Sequence, residues 1–174
     1  MPNALPVLAE TDVATFRTAM GRFPTGVTLL TQGSGPDTAI ITLNSLTSVS
    51  LDPLLLSVSV KADGRMRPRV ERHGSFAVSV LAAWHRELGG EFARPDRPEG
   101  EAAMLRCGAV TGATGNAVIP DAVSAFECHL RAVHPAGDHA VLIGEVVAVH
   151  GGSPGAAPLV FHHGRFTTLP ERAA

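Results

Sequence analysis

At least six runs rich in Val, Ile, Leu and Thr follow one another along this 174-residue chain, separated by segments that carry glycine or proline. Apolar and β-branched runs bounded in this way read as strands. They cover residues 25–31, 54–60, 76–81, 123–133 and 138–149, with a return strand from residue 38 and a closing hairpin over 158–161 and 165–169 around His162-His163-Gly164. Helices are predicted only between some of these runs. Strand and helix do not alternate regularly, so a doubly wound nucleotide-binding sheet is disfavoured. An antiparallel barrel decorated by helices is predicted instead.

The helical segments have their own signals. Thr11 or Asp12 can cap a helix whose apolar positions Val13, Phe16, Met20 and Phe23 recur at helical spacing, and Pro24 stops it. Trp84, Leu88 and Phe92 fall at i, i+4 and i+8, a stripe assigned to the core. Residues 93–119 carry prolines, glycines and charges without clear periodicity and are predicted to be a long loop. In residues 123–133, Phe126, Cys128 and Leu130 alternate with Glu127, His129 and Arg131, which places Cys128 on a core-facing side as a structural thiol.

Between two of the apolar runs lies Thr42-Leu43-Asn44-Ser45-Leu46-Thr47-Ser48-Val49-Ser50, in which six of nine residues carry a hydroxyl or an amide and none carries a charge. Such an array suits an uncharged, hydrogen-bonding ring edge better than a metal or a bare phosphate, because it holds no carboxylate, imidazole or thiolate. Taken alone, it reads more readily as a water-facing polar strand. After the strand at 54–60 comes Lys61-Ala62-Asp63-Gly64-Arg65-Met66-Arg67, a basic turn leading into a short helix. It reads either as a phosphate grip or as a solvated turn. His139 stands in Gly137-Asp138-His139 at the start of the longest strand, where a rigid element can hold a side chain at a site edge, although taken alone it reads more readily as a solvent-exposed turn histidine.

Composition narrows the classes of partner. The net charge is −2 with no run of Lys or Arg, which disfavours nucleic acid and an anionic membrane surface. Apolar residues make up 45% of the chain and charged ones only 17%, a hint of a buried subunit interface. Cys107 and Cys128 form neither a metal-site spacing nor a disulfide framework, which favours a reducing compartment. The first ten residues lack a basic region followed by an apolar run, so a cytoplasmic protein without a signal peptide or membrane span is predicted. His162 and His163, as neighbours on a strand, are predicted to point to opposite faces and not to share a metal. Motifs for dinucleotide-binding βαβ units, P-loops, zinc peptidases and serine-hydrolase elbows are all missing.

Taken together, the motifs carry a resemblance. Phe16-Arg17-x-Ala19-Met20-Gly21-x-Phe23-Pro24-Thr25-Gly26-Val27-Thr28, the stretch from Thr42 to Pro53, Phe76-Ala77-Val78-Ser79-Val80-Leu81, Gly137-Asp138-His139, Gly144-Glu145-Val146 and Pro158-Leu159 occur in one order. That order resembles the short-chain flavin reductases, the reductase components of two-component flavin-dependent monooxygenases. The chain departs from their pattern at Leu43, Leu54, Gly64, Met66, Ser79 and Trp84-His85.

The resemblance implies a mainly β fold with flanking helices, an antiparallel Greek-key split β-barrel of the FMN-binding type. It implies a single domain over 1–174 with a core at about 13–169, flexible tails at 1–12 and 170–174, and assembly as a homodimer. The activity it implies is transfer of hydride from NADH or NADPH to FMN or FAD, with reduced flavin supplied to a separate oxygenase. A flavin-carrying or flavin-sensing dimer without turnover is the alternative, and an oxidase of the pyridoxamine-phosphate type ranks third. By position, Thr42, Leu43, Asn44, Ser45, Ser48, Val49 and Ser50 would line the flavin, with Ser59, Lys61 and Arg67 near its phosphate. His139 would lie at the reacting face beside the nicotinamide, and residues 162–166 would close that pocket.

Overall fold

A computed structural model describes residues 12–169 of the chain; Thr11 and the predicted tails, apart from Asp12, fall outside them. Helix α1, Val13–Met20, starts at Asp12, whose side chain accepts the Thr15 amide at 2.7 Å. Strands β1 (Thr25–Gly26) and β2 (Thr28–Gln32) are separated at Val27, whose amide donates to Leu159 and whose carbonyl accepts from Leu81. There follow β3 (Ala39–Leu43), β4 (Thr47–Leu51), β5 (Leu54–Lys61), α2 (Met66–His73) and β6 (Ser75–Val80). Then come α3 (Arg86–Glu91), α4 (Gly100–Cys107), the short β7 (Val110–Thr111) and β8 (Ala117–Val118), and two long strands, β9 (Ser124–Ala136) and β10 (His139–Gly151). The closing hairpin is β11 (Leu159–His162) and β12 (Arg165–Thr168).

Seven strands form one sheet in the order β3-β2-β6-β9-β10-β5-β4, every pair antiparallel. Its two edges, β3 and β4, are consecutive in the chain and joined only by Asn44, Ser45 and Leu46. Four Cα steps reach about 15 Å at most. A flat sheet of this order would hold its edges about 29 Å apart, at roughly 4.8 Å per strand. The sheet must therefore curl until its edges approach, and the result is a barrel split along the β3/β4 seam. The Ser45 hydroxyl accepts the Ser59 amide at 2.9 Å and donates to the Ser59 carbonyl at 3.3 Å, which stitches the link onto β5.

The interior is filled by Leu30, Leu56, Val58, Val60, Phe76, Val78, Cys128 and Leu142 from successive strands, with Met66 and Val70 of α2 plugging it. Gly144 is required here. A Cβ at this position would meet the Phe76 ring at 2.5 Å and the Cys128 side chain at 2.8 Å. A second core lies outside the sheet, where Leu29, Ile40 and Leu81 meet Leu88, Phe92, Ala103, Cys107 and Leu159. Both cysteines are free and buried, and burial pushes each thiol up to about 12, so both pack as apolar groups.

Three expectations need correction. Trp84 is 55% exposed, although Leu88 and Phe92 are core. It sits in a 3₁₀ turn, Ala83–His85, ahead of α3, so the α-helical spacing that aligned the three residues does not extend to it. Residues 93–119 are not one loop, because α4 and the β7–β8 hairpin lie within them. Ala103 and Cys107, four apart on α4, anchor that helix to the outer core. The third concerns Glu127, predicted on the solvent side of β9 but fully buried beneath the β7–β8 turn.

Burial alone would raise the Glu127 carboxyl. Hydrogen bonds from the Thr114 hydroxyl and amide, the His150 ring and the Ala113 amide outweigh it and hold the group at about 2. Gly112 leaves room for the carboxylate, since a Cβ there would lie 2.5 Å from its oxygen. A folded-state value below the ordinary 4.5 means stabilisation that is present above about pH 5 and lost as pH falls toward 2. The shift corresponds to about 3 kcal/mol. Urea denaturation of Glu127→Gln should show a loss of this order at pH 7 and a flattened dependence between pH 5 and 2.

Candidate active site

The seam opens into a cleft of about 680 Å³, within the range of cofactor and ligand pockets. Its wall is built from the end of β3, the 44–46 link, the end of β5 and the turn that follows, facing the 93–97 segment and the β11–β12 hairpin. Antiparallel pairing of β10 with β5 sets His139 opposite Lys61, and so brings the Gly137-Asp138-His139 turn to the same cleft. Of the residues singled out from sequence, Thr42, Leu43, Asn44, Ser45, Ser59, Lys61 and His139 come together here. Ser48, Val49 and Ser50 do not. They lie on edge strand β4 outside the cleft, where the Ser50 hydroxyl accepts the Asp52 amide at 3.2 Å. Arg67 also lies outside it, on α2, paired with Glu71 one turn on at 2.9 Å.

Several of the polar groups are held by the protein itself. The Thr42 hydroxyl donates to the Gly89 carbonyl at 2.8 Å and its amide to Phe92 at 3.1 Å. Ser45 is held by Ser59. These bonds fix the backbone of 42–45, so that its main-chain groups and the exposed Asn44 amide are presented in a set arrangement. The apolar part of the lining comes from Val27, Phe92, Phe161 and Phe166, with the last two rings edge to face at 5.7 Å. An apolar, aromatic lining and a neutral hydrogen-bonding edge suit a planar heteroaromatic ring.

One end of the cleft is cationic, with Lys61, Arg65 and Arg97. Burial lowers the half-buried Arg97 guanidinium from its ordinary value, and the neighbouring positive Arg65 lowers it further. Clustered cations of this kind make a site for an anion, above all a phosphate. Arg97 was hidden in sequence by the aperiodic run Arg94-Pro95-Asp96-Arg97-Pro98, and only the two flanking prolines signal a stiff segment there. Phe92 was legible as core but not as cleft wall.

His139 is half-exposed, and its Nδ1 lies 2.8 Å from the Asp138 carboxylate. That hydrogen bond, together with the histidine's charge, lowers the Asp138 carboxyl from its ordinary value. With Nδ1 engaged by Asp138, Nε2 is the ring nitrogen left for another partner. The pair His162-His163 departs from its expectation: His163 leaves the strand in a left-handed conformation at φ 49°, and the two rings sit 4.2 Å apart. No cluster of three or more metal-ligating side chains occurs among the described residues. His85 is buried with both nitrogens engaged, Nδ1 accepting the Ala82 amide at 3.1 Å and Nε2 facing Asp121 at 3.2 Å, so it serves a turn.

Comparison with known proteins agrees with this geometry. The family model described as flavin reductase like domain matches residues 20–170. The chain is 44% identical over 156 residues to an NADH-dependent FMN reductase of Streptomyces nodosus subsp. asukaensis, covering 90% of this chain and 84% of that protein. It is 36% identical over 156 residues to an NADH-dependent FAD reductase of Streptomyces globisporus, covering 89% and 85%. Among solved structures, the flavin reductase component of a bacterial two-component tryptophan halogenase superposes with a TM-score of 0.85 at 38% identity, over 92% of this chain and all of that one. The NADH:FAD oxidoreductase of Streptomyces globisporus C-1027, in complex with NAD and FAD fragments, gives 0.87 at 32%, over 98% of this chain and all of that one. The split barrel, its cleft and these likenesses converge, and the chain belongs to the flavin reductase like family.

Proposed function

We propose that this protein is an NADH:flavin oxidoreductase that reduces FMN or FAD and releases it to a separate oxygenase. The observation that carries the reading is the cleft itself, which brings together a neutral hydrogen-bonding edge, aromatic side chains and a cluster of cations, the three kinds of group that a flavin's pyrimidine edge, ring face and phosphate require. The relatives reduce FMN or FAD with NADH, and one solved neighbour serves a two-component halogenase.

A bound flavin supplies the two-electron acceptor, which the side chains of the cleft lack. The protein's part is positioning. Main-chain groups of Leu43 to Ser45 and the Asn44 amide hold the ring edge, and donors among them stabilise negative charge developing there. Their arrangement costs little reorganisation, because Thr42 and Ser45 are already bonded to Gly89 and Ser59. Phe161 and Phe166 exclude water from the apolar side. His139, oriented by Asp138, places the nicotinamide carrier and is not needed as an acid or base.

A homodimer completes the reading. The stripe Val13, Phe16, Met20 and Phe23 is exposed, each residue by at least half, as are Leu51 on β4 and Val149 on the neighbouring part of the sheet. Such an unpartnered apolar surface fits a subunit interface, and it gives Ser48, Val49 and Ser50 on edge strand β4 a place beside a second copy. Sedimentation velocity should return twice the chain mass, and Phe16→Glu combined with Leu51→Glu should shift it to the monomer.

A steady-state assay crossing NADH and NADPH with FMN, FAD and riboflavin tests the activity. Stoichiometric flavin binding without nucleotide oxidation would leave only the non-catalytic alternative. His139→Ala should raise the KM for NADH several-fold with little change in flavin affinity, and unchanged nucleotide kinetics would reject its placing role. Arg97→Ala should weaken flavin mononucleotide binding by about tenfold, the order expected for one lost charge-assisted hydrogen bond, while Arg67→Ala should leave it unchanged. Calorimetric titration separates the two.

A further inference from the structure

We propose that the Arg65–Glu99 ion pair is a latch that favours the flavin mononucleotide over the dinucleotide, an inference that rests on the flavin reductase reading above. The pair joins two segments that each contribute to the cleft, although Glu99 itself does not line it. Arg65 belongs to the turn after β5, and Glu99 to the segment 93–99 that follows α3. That segment is a strap with both ends tied beside β3: the Phe92 carbonyl accepts the Thr42 amide at 3.1 Å, and the Gly100 amide donates to the Thr38 carbonyl at 2.8 Å. Pro95 and Pro98 stiffen it, and Arg97 is steadied by a 2.9 Å bond from its guanidinium to the Arg94 carbonyl. The Arg65 guanidinium meets the Glu99 carboxylate at 2.9 Å, joining strap to turn at the cationic end of the cleft.

With the latch shut, Glu99 occupies Arg65, which leaves Lys61 and Arg97 to face an anion. Neither has an ion-pair partner among the described residues. Two cations match a single phosphate monoester, which carries a charge of about −1.5 to −2 at neutral pH. A dinucleotide places a second phosphate and a nucleoside beyond the first. Its outer half has to pass the joined segments, and its second phosphate lacks a partner while Arg65 is held by Glu99. Opening the latch removes the obstruction and frees Arg65 in one movement. Both side chains are well exposed, at 65% and 48%, so the pair is weak and salt-sensitive, and the preference it creates is several-fold.

Calorimetric titration of the full chain with FMN and with FAD reads the latch directly, without turnover. Glu99→Gln keeps the size of the side chain and removes its charge. It should tighten FAD by about fivefold, leave FMN within about twofold, and leave thermal stability unchanged. Arg65→Ala opens the latch but removes the second cation, and should bind FAD more weakly than Glu99→Gln does. In the unaltered protein, raising the salt concentration should narrow the gap between the two flavins. An FAD-to-FMN affinity ratio that stays constant in Glu99→Gln and across salt overturns the latch. FAD binding in Arg65→Ala as tight as in Glu99→Gln overturns the role given to Arg65. Failure of the unaltered protein to bind either flavin overturns the reductase reading together with the latch, whereas normal binding and turnover with an unchanged ratio overturns the latch alone.

Discussion

The two edges of the seven-stranded sheet are tied by only three residues, and the rest of the molecule follows from that short tether. A longer link would let the sheet stay open and spread its polar edge into water. Three residues force β3 and β4 toward each other, and the Ser45–Ser59 bonds fasten the link to β5. The edges come close without merging into one ladder, since β3 bonds only to β2 and β4 only to β5. Main-chain groups of the link at this gap stand outside either ladder. A split barrel is thus a way of keeping backbone donors and acceptors available beside an apolar wall.

Charge divides the cleft in two. Along 42–45 the chain offers only neutral groups, which can match alternating donors and acceptors without favouring one net charge state. At the far end Lys61, Arg65 and Arg97 gather from β5, its following turn and the strap. Three cations from separate segments repel one another, and Glu99 relieves part of that repulsion. A phosphate would relieve more, since it adds two or more charge-assisted bonds where Glu99 supplies one. On the proposed reading, the neutral part would recognise a ring and the charged part its tail.

The sequence was most readable where one physical signal acts alone. Strand positions followed from β-branched runs and turns, where local propensity and packing agree, and α1 from its Asp12 cap and helical spacing alone, since none of its residues is buried. Legibility failed where a second layer overrides the local pattern. Glu127 occupies a solvent-facing position of β9, and nothing in its own neighbourhood announces that the 112–114 turn, more than ten residues upstream, covers it. Trp84 fits a helical stripe that the 3₁₀ turn interrupts. In the candidate site, the residues from Thr42 to Ser45 were legible by composition. Arg97 was not, because its segment has no period and is shaped by anchors at Thr38 and Thr42 that lie far away in sequence. Arg67 illustrates the converse: a basic residue in the right motif whose charge is already taken by Glu71.

Such a division explains how a cleft with so little reactive chemistry is sufficient. Hydride transfer between two cofactors needs their rings held at contact distance, and general acids, nucleophiles and metals add nothing to that. What the protein has to provide is stiffness, and it provides this by spending its polar side chains on its own backbone. Thr42 is bound to Gly89, Ser45 to Ser59, and His139 to Asp138. A hydroxyl left free to turn would be a stronger ligand in one pose and a poor template for the next. The two cores press on the sheet from both sides and keep β3 and β5 from drifting apart. Ring recognition is therefore built into the barrel and is hard to change without unfolding it. The strap is anchored beside β3 at Thr42 and Thr38 and adds Arg97 to the cations of β5 and its turn, so a substitution there changes the charged end of the cleft while leaving the 42–45 wall in place.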